Sequence, residues 1–135
     1  MTILERLYDH AAACGIEISH FHLPETTSCA VCLDGNYYIG IDKARLETSL
    51  EEAECLAHEI GHCQTDAFYA IDEHNRRRAE KRAEVWAITK LVPYKKFKSA
   101  IQKGCHEIWE FAEEFNTTCG FAEKALRYYL AKESI

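Results

Sequence analysis

The chain has 135 residues, 47% hydrophobic and 28% charged, which is typical of one globular domain with a substantial core. Its formal charge of −6 argues against a protein that wraps nucleic acid, because such proteins usually carry net positive charge. No apolar run is long enough to span a bilayer, and the charged N-terminus does not resemble a secretory signal. We therefore expect a cytoplasmic protein without a membrane partner, whose seven cysteines are reduced.

The first 42 residues predict a helix followed by a small sheet. Apolar residues recur at helical spacing over residues 3–13, and Gly15 is the expected stop of that helix. Residues 16–42 contain β-rich runs that predict two or three strands, broken by Pro24. Asp34-Gly-Asn36 between the last two runs predicts a hairpin turn.

Two pairs of metal-binding residue types lie in this strand region. Cys29 and Cys32 are three apart, so in a strand they face opposite sides, and we expect buried or half-buried thiols. His20 and His22 share one face of a strand, for which a solvated surface is the expected setting. Neither pair predicts a metal site by itself.

The remainder of the chain is predicted to be helical, which makes the fold class α+β. Ser49 followed by Glu52 matches a capping box and predicts the start of a helix. The predicted helices cover about residues 50–64, 73–91, 93–104, 105–115 and 118–131.

The most specific motif is His58-Glu59-Ile60-Gly61-His62 on the first of these helices. Four residues advance a helix by slightly more than one turn, so His58 and His62 project from one face and can bind a single Zn²⁺. Glu59 is rotated by about 100° from His58, where it could act as a general base without being a ligand.

A catalytic zinc needs a third protein ligand, and the next helix offers two. Glu80 and Glu84 lie on or beside the apolar stripe of that helix, where unpaired carboxylates are expensive to bury. The alternative is that they form surface salt bridges with the arginines at 76, 77 and 82. Those arginines, with Arg78 and Lys81, are interpreted as a solvated helix face.

The helical motifs resemble the ImmA/IrrE family of zinc metallopeptidases. The resemblance is carried by Leu56-Ala-His-Glu-Ile-Gly-His62, Glu80-Lys-Arg-Ala-Glu84, Trp86-Ala87 and Lys90-Leu-Val-Pro93. It implies a zincin-like fold, Zn²⁺ as cofactor and Glu80 as third ligand. Glu84 stands where the family usually has Asn or Asp, which leaves open whether it orients a histidine or binds metal itself.

The resemblance also implies peptide-bond hydrolysis in a protein substrate, because relatives from phages and mobile elements cleave a helix-turn-helix repressor. One domain is expected over residues 1–135, with a catalytic core to about 95 and a C-terminal helical region from about 96. Tyr69 and His74, between the two zinc helices, are candidates for stabilising the oxyanion. The strand over residues 37–41 is a candidate for pairing with an extended substrate.

Two other functions compete with proteolysis. The first is a metal-bound regulator that sequesters a repressor without cleaving it. The second is a DNA-binding regulator that uses the last two helices, which form a hairpin like a helix-turn-helix. The net charge, and a last helix with only Lys124, Arg127 and Lys132 as basic residues, argue against direct nucleic acid binding.

Overall fold

The computed structural model describes residues 1–68 and 72–133, which form two compact units, residues 1–87 and 88–135. The predicted α+β class, with a small N-terminal sheet and a mostly helical body, is confirmed. No helix of the described residues is long and apolar enough to cross a membrane. The elements are α1 (Ile3–Ala13), β1 (Glu17–His20), β2 (Ser28–Leu33), β3 (Asn36–Ile41), α2 (Ser49–Gln64), α3 (Glu73–Leu91), α4 (Tyr94–Gln102), α5 (Ile108–Phe115) and α6 (Cys119–Glu133).

Helix α1 ends where the sequence predicts. Gly15 has φ +74°, a left-handed conformation that glycine adopts without a steric penalty. The backbone N–H of Gly15 donates to Ala12 and that of Ile16 donates to Ala11, which together satisfy two terminal carbonyls in a Schellman motif. This turn reverses the chain directly into β1.

The three strands form a sheet in the order β1-β3-β2. β2 and β3 are an antiparallel hairpin, and Asp34 (φ +52°) and Gly35 (φ +79°) form its two-residue turn, as predicted. β1 pairs with β3 in parallel, so β3 is hydrogen-bonded on both sides. The prediction that β3 receives an extended substrate is therefore wrong, and within the described residues β2 provides an open edge beside α2.

One face of the sheet packs against α2. Ile39 and Ile41 of β3 are buried, and their partners across the ladder are Ala30 and Ser28 of β2. Directly opposed residues share a face, so Ser28 and Ala30 also point toward α2. The hairpin register thus positions the hydroxyl group of Ser28 over the helix that carries the histidines.

Helix α2 begins one residue earlier than the predicted capping box. Thr48, rather than Ser49, is the N-cap, and its hydroxyl oxygen accepts from the backbone N–H of Glu51 at 3.1 Å. Glu51 accepts in turn from the N–H of Thr48 at 3.0 Å, which completes the box. The sequence Thr48-Ser-Leu-Glu-Glu52 matches a capping box with either Thr48 or Ser49 as the N-cap. With Thr48 as the N-cap, Leu50 is half-buried and Ala53 is buried.

All seven cysteines lie in the described residues, and none of them is part of a disulfide. Cys29 is half-buried, as expected. Cys32 is exposed, which corrects the expectation of a covered thiol, because the second half of β2 extends beyond the elements that cover its first half.

The second unit contains α4, α5 and α6 and has an aromatic core. Phe97 and Phe115 are almost fully buried, and the ring of Tyr129 stacks on that of Phe97 with centroids 5.0 Å apart. The Tyr129 hydroxyl donates to the Val92 carbonyl at 2.6 Å. Asn116 adopts a left-handed conformation between α5 and α6, the two helices predicted near residues 105–115 and 118–131.

Candidate metal centre

Helices α2 and α3 approach each other closely at Gly61. A Cβ atom built on Gly61 would lie 2.6 Å from the carbonyl oxygen of Ala83 and 3.1 Å from its Cα. Ala83 is fully buried, so neither side of this contact can relax into solvent. Only glycine at position 61 permits this approach, which brings a side chain of α3 to the histidine face of α2.

Three side chains converge at this contact, and they belong to residues that the sequence motifs predict as ligands: His58, His62 and Glu80. Nε2 of His58 lies 2.9 Å from Oε2 of Glu80, and Nε2 of His62 lies 3.2 Å from Oε1. The candidate ligand atoms all lie within 4.8 Å of one another, and this is the only group of its kind among residues 1–68 and 72–133. Two neutral nitrogens and a carboxylate form a donor set that suits a divalent cation of the zinc type.

The environment of His62 tests whether a cation fits. Its Nδ1 contacts the backbone carbonyl of Ala67, which can only accept, so Nδ1 carries the proton. In the neutral imidazole, Nε2 then presents a lone pair to a carboxylate oxygen of Glu80, so the contact is attractive only with a proton or a metal ion at Nε2. A tetrahedral ion with bonds of about 2.0 Å separates its ligands by about 3.3 Å, close to the two observed distances. The residues therefore fit a metal ion.

Glu59 lies beside the three ligand atoms but has a different partner. Its side chain is 7% exposed, and Ser28 donates a hydrogen bond of 2.6 Å to Oε2. Burial raises the pKa of Glu59, whereas the Ser28 hydroxyl and the nearby histidines lower it. A carboxylate with a raised pKa that is fixed at one oxygen is suited to accept a proton at the other.

A cleft of about 180 Å³ opens at this group. Glu59 and His62 form one wall, and the first half of β2, including Ser28 and Ala30, forms the other. The ring of Phe68 closes one end and stacks at 6.4 Å from the ring of His62. The cleft runs beside the edge strand, so an extended chain along β2 would pass Glu59 and His62.

The other predicted site residues are placed differently. Glu84 is half-buried on α3, one turn beyond Glu80, and is not part of the three-residue group. His74 is exposed in the first turn of α3 and does not line the cleft. Tyr69 lies outside the described residues. The roles of Glu84, His74 and Tyr69 stay predictions.

Three residues of the site are not predicted by the sequence: Ser28, Ala67 and Phe68. Ser28 is 31 positions from its partner Glu59, and only the register of the sheet brings it there. Ala67 contributes a backbone carbonyl, which no side-chain pattern reports. The position of Phe68, just after the ligand helix, is a signal that could have been used, because an aromatic residue there can pack on the last histidine.

Comparison with known protein families agrees with this geometry. Residues 11–127 match the family model Peptidase M78, described as the IrrE N-terminal-like domain. The match indicates a metallopeptidase-like role and includes all three candidate ligands and Glu59. No curated protein matches the chain. Because the match covers well over half of the sequence, the chain belongs to the IrrE N-terminal-like family of peptidases.

Proposed function

We propose that this protein is a zinc-dependent endopeptidase that hydrolyses a peptide bond in a protein substrate. The observation that carries the proposal is the convergence of His58, His62 and Glu80 beside the buried carboxylate of Glu59. Three protein ligands, one of which lines an open cleft, are typical of catalytic rather than structural zinc sites. Membership in a peptidase family supports the same conclusion.

Each residue of the centre has a distinct task in this proposal. His58, His62 and Glu80 would hold Zn²⁺, which supplies Lewis acidity to activate water and to polarise the scissile carbonyl. The carbonyl of Ala67 fixes the tautomer of His62, so that Nε2 is available as a ligand. Ser28 holds Oε2 of Glu59, and the other carboxylate oxygen accepts the proton of the attacking water and returns it to the leaving amine.

The edge of β2 is proposed to bind the substrate backbone. Its first half lines the cleft, and its outer edge is not paired within the described residues. An extended peptide added to such an edge is held by main-chain hydrogen bonds that are independent of its sequence. The peptide would thereby be aligned along the face that carries Glu59 and His62.

We propose a helix-turn-helix repressor as the substrate, on the basis of the resemblance to phage and mobile-element members of the family. The protein would then act as an anti-repressor, in the cytoplasm and without direct contact to nucleic acid. The competing role is sequestration of the repressor without cleavage. Both roles need the same cleft, so an assay must follow the integrity of the bound chain.

Metal content tests the centre itself. Zinc per chain is measured by elemental analysis after purification without a chelator or a metal-binding tag. We expect about one zinc in the wild type and its loss in His62→Ala and in Glu80→Ala. Glu84→Ala is the matched control on the same helix. Zinc that persists in Glu80→Ala and is lost in Glu84→Ala would move the third ligand by one turn.

Cleavage tests the reaction. The zinc-loaded protein is mixed with a helix-turn-helix repressor from the same replicon or genome neighbourhood, and fragments are identified by mass spectrometry. We expect Glu59→Gln to retain zinc and to lower the cleavage rate by about 10²–10⁴-fold. Unchanged cleavage by Glu59→Gln would contradict the proposed mechanism. A stable complex of wild-type protein with an intact repressor would instead support sequestration.

A further inference from the structure

A second cavity lies next to the metal centre, on another face of α3. It has a volume of about 230 Å³ and separates α3 from the segment that follows α2. The α3 residues in its wall are spaced i, i+3, i+4 and i+7, which places them on one face of the helix. The lining residues are Asp66, Ala67, Phe68, Asn75, Arg78, Ala79 and Arg82.

The cavity has a positive lining in an acidic protein. The chain carries a formal charge of −6, yet Arg78 and Arg82 both line this one cavity. Neither guanidinium belongs to an ion pair within residues 1–68 and 72–133, whereas Arg77 on the same helix pairs with Glu73 at 3.6 Å. The acidic residue in the wall is Asp66, whose Oδ1 accepts from the Tyr37 hydroxyl at 3.0 Å. The lining therefore has two cationic groups against one carboxylate.

The segment that follows α2 contributes Phe68 to the walls of both cavities. The side chain of Phe68 lines the cleft at the metal centre and also the second cavity. Ala67, in the wall of the second cavity, provides the carbonyl that orients His62. Glu80 lies on α3 between Arg78 and Arg82, so the same helix supplies a candidate metal ligand and the two arginines. Because Phe68 lines both cavities, the second one adjoins the cleft at the metal centre.

We propose that the second cavity is a specificity subsite that binds a carboxylate group of the peptide substrate through Arg78 and Arg82. The inference rests on the proposed function, because it concerns the substrate of the same centre. Guanidinium groups bind carboxylates through paired N–H donors, and such charge-assisted bonds are stronger than neutral ones. The carboxylate comes from an Asp or Glu side chain near the scissile bond or from the end of the peptide chain.

The test measures binding, so that it does not depend on turnover. A random library of linear decapeptides is selected against zinc-loaded Glu59→Gln protein, and the enriched sequences are synthesised with an amidated and with a free C-terminus. Affinities are measured by fluorescence anisotropy. The selection is repeated on Arg78→Gln/Arg82→Gln in the same background. The matched control is Arg77→Gln/Lys81→Gln, which removes the same charge from α3 outside both cavities.

We expect Asp or Glu to be enriched at one position, and this preference to be lost in the Arg78/Arg82 variant and kept in the control. Replacing that acidic residue of the peptide by its amide is expected to weaken binding about tenfold or more. A tenfold loss on C-terminal amidation would assign the carboxylate to the chain end. Reversal of both charges, Arg78→Glu/Arg82→Glu, is expected to select Lys or Arg at the same position.

Three results would overturn the proposal: selected peptides with neither an acidic preference nor a loss of affinity on C-terminal amidation, a dependence on the carboxylate that survives in Arg78→Gln/Arg82→Gln, or a selection that enriches no peptide. Failure of the proposed function can be distinguished from failure of the proposed subsite. If acidic peptides bind through the two arginines but wild-type protein cuts no repressor and no selected peptide, only the enzymatic activity is contradicted. If repressor is cut but no acidic preference exists, only the subsite is contradicted.

Discussion

The two units of this protein differ in what they bury. Among the described residues, the first unit buries two carboxylates and a histidine, Asp42, Glu59 and His62, whereas the second buries the hydroxyl-bearing side chains of Thr117 and Tyr129 and no Asp, Glu, His, Lys or Arg. Each of the three ionisable groups has a defined partner: the N–H of Leu23, the hydroxyl of Ser28 and the carbonyl of Ala67, in that order. Unpaired, each would destabilise the fold.

This difference indicates that the second unit contributes mainly to stability, whereas the first unit holds the candidate site. The core of the second unit is rich in aromatic rings, including those of Phe97 and Phe115, whose burial favours folding directly. The first unit holds polar groups in low-dielectric surroundings, which is costly for stability but suits a reactive centre. Substitutions should therefore affect the second unit through unfolding, and the first unit through loss of the site.

The largest loss of stability is expected in the aromatic core. Phe115 is 1% exposed, and Phe115→Ala removes its packing, so the free energy of unfolding should fall by about 3–5 kcal/mol. Ile101→Ala, at a residue that is 45% exposed in the same unit, should cost about 0.5 kcal/mol. Urea unfolding followed by circular dichroism measures both. Equal losses for the two variants would contradict the described core.

The same change, glycine to alanine, should have opposite effects in the two units. Gly61→Ala forces a Cβ to within 2.6 Å of the Ala83 carbonyl, which should cost about 1–3 kcal/mol and lower zinc affinity. Gly120→Ala in α6 meets nothing within 4 Å, so the better helix propensity of alanine should leave stability unchanged or raise it by up to about 1 kcal/mol. Thermal unfolding and elemental analysis distinguish the two. A Gly61→Ala protein with full zinc content would argue against the close approach.

Capping of the ligand helix provides a smaller test. Thr48→Ala removes the side-chain acceptor for the Glu51 N–H and should destabilise the protein by about 1 kcal/mol. Ser49→Ala, one residue later and within the helix, should have little effect, because Ser49 is not the cap. Chemical denaturation of the two variants measures the difference. A larger loss of stability for Ser49→Ala than for Thr48→Ala would support Ser49 as the N-cap, as the sequence predicts.

The smallest effect is expected at acidic pH. The N–H of Leu23 and the contact with His22 lower the pKa of Asp42, and Arg45 lies 3.4 Å from the same carboxylate. Its stabilising contribution is therefore complete above the unfolded pKa of about 3.9 and is lost as the pH falls through the lower folded pKa. The stability difference between wild type and Asp42→Asn should shrink below about pH 4. Asp34→Asn, in the exposed hairpin turn, serves as the control in melting curves from pH 2 to 7, and a constant difference would contradict this linkage.

Local patterns predicted much of this structure. The bounds of α1 and α3, the hairpin turn at Asp34-Gly35 and the stop at Gly15 depend on residues that are near one another in sequence. The shared face of His58 and His62 follows from helical spacing alone. The spacing on α3 predicts Glu80 and Glu84 equally as the third ligand, and only the resemblance to a family favours Glu80.

Tertiary contacts account for what the sequence did not predict. The central position of β3 follows from a parallel pairing with β1, and no local signal distinguishes a central strand from an edge strand there. The capping box was misplaced by one residue because Thr48 and Ser49 both have a glutamate three positions later. The sequence favours a solvated face for the arginines of α3, because it does not reveal that Arg78 and Arg82 border a cavity while Arg77 does not.

The open edge of β2 has a consequence for handling the protein. Val31 is 43% exposed and Leu33 is 61% exposed, with the exposed thiol of Cys32 between them. An apolar strand with unpaired backbone groups can pair with the same strand of a second molecule, and charged residues that would oppose this are absent from residues 28–33. At millimolar concentration without reductant, we expect self-association through this edge, made permanent by a Cys32–Cys32 disulfide between chains. A lysine at position 31 or 33 would keep concentrated samples monomeric.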